Sequence, residues 1–80
     1  MKRPDLTFIS QNKFSQKDVM NDIYVVDKNN EIVVDVFQNQ FKNAITQLPE
    51  LVQIAESMYD SNPKSMMGIQ ILEILNKIKQ

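Results

Sequence analysis

The hydrophobic period of this chain changes at Phe37, and no other feature constrains its fold as much. Before Phe37 the apolar residues alternate as they do in strands. From Phe37 onward they recur at helical spacing, at Phe41, Ala44, Ile45 and Leu48. A strand turns successive side chains to opposite faces, whereas a helix returns to the same face every three to four residues. A single switch from the first pattern to the second predicts one α+β domain. Residues 1–37 form its strand and hairpin half, and residues 38–80 its helical half. The expected architecture is a β-hairpin packed on two to three C-terminal helices. The sheet becomes three-stranded and antiparallel if residues 6–9, a short β-prone run after Pro4, join it as an edge strand.

Within the first half, Ile23-Tyr24-Val25-Val26 and Glu31-Ile32-Val33-Val34-Asp35-Val36 are β-branched runs flanking Asp27-Lys28-Asn29-Asn30. Asn tolerates positive φ and Asp closes Asx turns, so the tetrad suits a tight reversal. Ile32, Val34 and Val36 share the face expected to lie on the helices, with Glu31, Val33 and Asp35 on the other. Residues 10–21 are polar and read as a loop or short helical turn, pinned to the core by Phe14, Val19 and Met20.

The second half is punctuated by prolines. Residues 37–48 carry one apolar stripe, and Pro49 removes a backbone donor and clashes with the preceding turn. Pro49-Glu50 also suits a helix start. A second helix is expected over residues 49–59, burying Leu51, Val52, Ile54, Ala55 and Met58. The stripe stays in phase across Pro49, so one kinked helix is the alternative. Asp60-Ser61-Asn62-Pro63 is the clearest boundary, with Asn62 as N-cap and Pro63 as first residue of a last helix reaching residue 78. Its stripe is Met67, Ile71, Ile74, Leu75 and Ile78, and Gly68 leaves room for close packing.

Composition excludes several function classes. Without Cys or His there is no disulfide, no thiolate or imidazole metal site, and no Ser–His or Cys–His nucleophile pair. One glycine leaves no Gly-rich phosphate loop. Asp18 and Asp22 would share a face only on a helix, and there a solvated pair is the plainer reading than a catalytic dyad. An enzyme is therefore not expected, nor a cofactor. The formal net charge is −1 with both signs interspersed, the nearest basic clusters being Lys2-Arg3 and Lys77-Lys79. Binding to nucleic acid through phosphates needs clustered basic charge, so no nucleic-acid partner is expected. No stretch approaches the roughly 20 apolar residues of a membrane span. Residues 1–5 are charged and no apolar h-region follows, so a cytoplasmic protein is expected. Richness in Asn, Gln, Lys and Ile suggests an AT-rich bacterial or phage coding sequence.

A small domain without disulfides or metals commonly draws stability from a partner, and the last helix offers a surface for one. Beyond its main stripe it carries Met66, Ile69 and Leu72, well round toward the opposite side. A helix apolar on more than one face is covered on more than one face. Two readings stay open: internal cover by the hairpin and the preceding helix, or a protein–protein surface, as a self-association seam or a partner groove. Tyr59 is either an anchor of that surface or a core residue with its hydroxyl at the rim.

The run from Ile32 to Met58 also resembles a group of small proteins encoded by bacteriophages and prophages. In those, a hairpin ends near an Asp-Val-Phe-like tripeptide, an Asn-Ala-containing helix follows, and Pro-Glu-Leu-Leu opens another. Here the counterparts are Val34-Asp35-Val36-Phe37, Asn43-Ala44-Ile45 and Leu48-Pro49-Glu50-Leu51-Val52. The interval from Asn-Ala to Pro-Glu-Leu is shorter in this chain, and Thr46-Gln47 replaces an Ala-rich stretch. The resemblance implies an accessory protein that acts in a bacterial host cell by binding, as an inhibitor of a host or defence protein such as a CRISPR effector. The alternative is a small regulatory or structural protein that dimerises through its C-terminal helix.

Overall fold

The computed structural model describes residues 2–34 and 39–79, and the expectations for Asp35, Val36 and Phe37 lie outside them. The chain runs α1 (Thr7–Ser10), β1 (Ser15–Val19), β2 (Asp22–Val26), β3 (Ile32–Val34), α2 (Asn39–Thr46), α3 (Leu48–Ser61) and α4 (Met66–Lys79). The three strands form one antiparallel sheet in the order β1-β2-β3, and the helices that follow complete an α+β arrangement.

The third strand is not the expected one. Residues 6–9, expected as an edge strand, instead wind into the helical turn α1. The Asp5 carboxylate accepts the Thr7 N–H at 3.0 Å, and the Leu6 carbonyl accepts the N–H groups of Ile9 and Ser10, each at 2.9 Å. Leu6 and Ile9, three apart, are buried while Thr7 and Phe8 are exposed. Four residues are too few to tell that spacing from alternation.

The missing strand is β1, inside the segment expected to be a loop. It pairs with β2 from Ser15↔Val26 to Val19↔Asp22. Met20 and Asn21 alone connect the two strands, both at positive φ (51° and 72°), as two-residue hairpin loops require. That turn points Met20 into solvent, so it does not pin the core as expected. Phe14 does pack against the core.

The β2–β3 reversal follows the expected chemistry. Asp27 Oδ1 accepts the N–H groups of Asn29 (2.9 Å) and Glu31 (3.0 Å), and Asn30 takes φ 66°. The expected facing of the second strand fails. The register shifts between Val25 and Val26, so that Val25 faces Val34 and Val26 faces Ile32. With Val33 as the extra residue, alternation is interrupted. Ile32 lies exposed instead of on the helices.

Over the described residues 39–59 the chain is not one kinked helix. Gln47 separates α2 from α3, donating to the Ala44 carbonyl while its own carbonyl accepts the Leu51 N–H. Pro49 sits in the first turn of α3, where its missing donor costs nothing. The burial of both helices is narrower than their apolar stripes. On α2, Phe41 and Ala44 face solvent, while Lys42 is buried and Ile45 half-buried. On α3, Pro49, Val52, Glu56 and Tyr59 are buried, but Leu51, Ile54 and Met58, expected inside, are exposed.

The last helix begins later than expected. Asn62 is the C-cap of α3, its N–H directed at the Met58 and Tyr59 carbonyls. Residues 63–65 turn, and Ser65 is the effective N-cap of α4: its Oγ accepts the Gly68 N–H at 2.9 Å. Gly68 is buried under this turn. A Cβ there would fall against the Asn62 carbonyl oxygen and lie 3.0 Å from the Pro63 carbonyl. The core joins Leu6 and Ile9 to Val52 of α3 and Leu75 of α4, with Phe14, Ala55 and Ile71 packed against it.

Candidate functional site

The N-terminal segment lies against the C-terminal half of α3. Glu56 and Asp60, four apart, project from one helix face, and a single guanidinium spans them. Arg3 Nη1 donates to Glu56 Oε2 at 2.7 Å, while Nε and Nη2 donate to the two Asp60 oxygens at 3.0 and 3.2 Å. This fork is the strong geometry for an arginine–carboxylate pair. The bond to Asp60, aided by the negative field of Glu56 and opposed by desolvation, raises the Arg3 pKa above its usual value. Asp5, two residues on, is held below the usual aspartate value, first by the Thr7 backbone N–H and also by the Thr7 hydroxyl and the positive charge of Lys79.

This arrangement opens two adjoining clefts that share Tyr59 and Asp60. One, of about 590 Å³, runs along Lys2, Arg3, Pro4 and Asp5. The other, of about 630 Å³, is lined by Pro63, Lys64, Ile69 and Leu72. Three of the four residues singled out in the sequence therefore come together: Tyr59, Ile69 and Leu72 share a wall. Met66 does not line that cleft; it projects from the start of α4, 81% exposed. Tyr59 is only 5% exposed, so its ring supports the cleft from the core side. Ile69 is exposed and Leu72 half-buried.

Sequence reasoning missed the polar rim. Asp60 and Lys64 border the cleft with the apolar Ile69–Leu72 floor, and Lys2, Arg3 and Asp60 line the adjoining one, so both signs of charge stand beside the floor. The available signal was the acidic pair at Glu56 and Asp60, spaced to take one basic group. Chemically, an apolar floor inside a mixed charged rim suits recognition of a peptide or protein surface. Asp18 and Asp22 lie on neighbouring strands, both exposed. Among the described residues no group of three or more acidic side chains is placed to hold a metal ion. No helix among them is long and apolar enough to cross a membrane. No family model, curated protein or solved structure matches the chain.

Proposed function

We propose that this chain is a non-enzymatic binding protein that engages a host or defence protein of a bacterial cell, as phage and prophage accessory proteins do. The observation that carries the reading is the Tyr59–Ile69–Leu72 cleft with its charged rim. It is supported by the balance of apolar surface: among the described residues, more large hydrophobic side chains are exposed than buried. Exposed apolar surface concentrated on one pair of helices is characteristic of proteins that dock onto others. A CRISPR effector is one target of this kind, by analogy with the group that residues 32–58 resemble.

The test is affinity capture from bacterial lysate with wild-type protein and with Ile69→Lys. Ile69 is 56% exposed, so the lysine can reach water and the fold should survive. The reading expects one host protein, recovered in stoichiometric amount by the wild type and lost with the variant, while circular dichroism stays unchanged. Recovery of no host protein, or equal recovery by both, counts against it. A second reading, a self-associating regulatory or structural protein, is favoured by the apolar residues of α4 that lie outside the cleft.

A further inference from the structure

The pair α3–α4 is covered on one side only. On that side Arg3 holds Glu56 and Asp60, Gln53 donates to the Ser10 carbonyl, and Lys79 stands 5.7 Å over the Phe8 ring. The other side carries Leu51, Ile54 and Met58 from α3 and Met67, Ile74 and Ile78 from α4, each between 37% and 58% exposed. Met58 and Met67 line one cleft at the turn end of the pair, so the two rows meet there.

We propose that this bare side binds a second copy of the same chain, so that two α3–α4 pairs close into a four-helix bundle. Three observations select that occupant. First, the spacing is that of a helix–helix seam. Residues 51, 54 and 58 are three and four apart, and residues 67, 74 and 78, with half-buried Ile71 between them, are four, three and four apart. Knobs at this spacing are met by the holes of another helix carrying the same spacing.

Second, the apolar stripe itself carries no charge: Glu50, Glu73 and Lys77 stand at its edges, and Ser57 and Ser61 flank Met58. An unlike partner is usually selected by complementary charge, which lines the opposite cleft and here is confined to the edges of the stripe. A neutral apolar face is complementary to itself, as a two-fold interface must be.

Third, the area is close to the lower limit of a specific two-fold interface. Two 14-residue helices side by side, each about 21 Å long and about 10 Å across, present roughly 400 Å² in projection. The accessible area of a ridged face is larger than its projection, and a specific interface needs about 500 Å² per partner. This proposal stands apart from the cleft reading, because the two use opposite sides of the helix pair.

The experiment is light scattering and sedimentation on the whole chain across a wide concentration range, with Met58→Glu, Ile74→Glu and Ile69→Lys alongside. The wild type should weigh twice the 9.3 kDa chain. Each glutamate variant should raise the dimer dissociation constant at least tenfold, about 1.4 kcal/mol, with its helical circular dichroism unchanged. Ile69→Lys should remain a dimer. A wild type of single-chain mass at every concentration overturns the proposal, as does a dimer that survives both glutamates or is lost with Ile69→Lys. Should the glutamate variants not fold, hydrogen exchange of the wild type decides. Protection in residues 51–58 and 67–78 that rises with concentration supports the seam, and concentration-independent protection refutes it. A dimer that captures no host protein supports this proposal while removing the cleft reading.

Discussion

Arg3 is the residue through which the chain's start is fastened to its helical half. Three of its N–H groups are used by two carboxylates on α3, and the Glu56 side chain keeps only 12% of its exposure. Exposed ion pairs contribute about 0.2–1 kcal/mol, and Arg3, with 36% of its side chain exposed, is screened by solvent. The forked geometry and the sheltered Glu56 place this pair near the upper end. Arg3→Ala is expected to cost about 1 kcal/mol in urea unfolding, seen as a lower midpoint at unchanged slope. Arg3→Lys should recover only part of that, because an ammonium is a single point and cannot bridge two carboxylates as a planar fork does. Full recovery by lysine would show that charge alone holds the segment.

Among the elements, α4 shows how a boundary is chosen between competing signals. Asn62 and Pro63 form a good helix start in isolation, yet the chain uses them to end α3 and turn. The Asn62 N–H completes α3, and its carbonyl accepts from both the N–H and the hydroxyl of Ser65. Ser65 then caps α4 through the Gly68 N–H. Loss of an N-cap hydroxyl typically costs about 1 kcal/mol, so Ser65→Ala should lower the thermal midpoint clearly. Asn62→Ala should lower it less, since these bonds use the Asn62 backbone. Circular dichroism melts of the two variants check the order, and a larger effect at Asn62 would return the cap to that residue.

As a whole the molecule is elongated. Its principal extents are 49 × 22 × 20 Å and its radius of gyration is 14.6 Å, against about 12 Å for a compact domain of this length. Extension is what leaves one side of α3–α4 without cover. The electrostatics of the whole are weak: the formal net charge is −1, and Arg3 is already engaged by acidic groups. Non-specific DNA binding rests on phosphate neutralisation by clustered basic groups. No rise in the fluorescence anisotropy of labelled duplex DNA is expected at micromolar protein in physiological salt. A salt-sensitive, sub-micromolar complex would contradict this and shift attention to Lys2 and the Lys77–Lys79 end.

Local physics wrote several features plainly into the sequence. The Asp27–Asn30 reversal, the break before Pro49, the end of α3 near residue 62 and a helical terminus each depend on residues within one turn of one another. The apolar residues Ile69 and Leu72 were legible for the same reason, as departures from the main stripe of one helix. The rest was decided by contacts that no short window contains. Strand β1, Ser-Gln-Lys-Asp-Val, has almost no apolar signal; it is a strand because the turn at Met20 and Asn21 lays it beside β2. The adjoining cleft along Lys2, Arg3, Pro4 and Asp5 depends on Arg3 meeting residues 53 and 57 positions away. Periodicity identified which faces of α2, α3 and α4 are apolar, but covering a face takes a neighbour, and the supply of neighbours is set by the fold. Here that supply ends with α1 on one side of the helix pair, so Val52 and Leu75 are buried while Leu51 and Ile74, one residue away on the same helices, meet solvent.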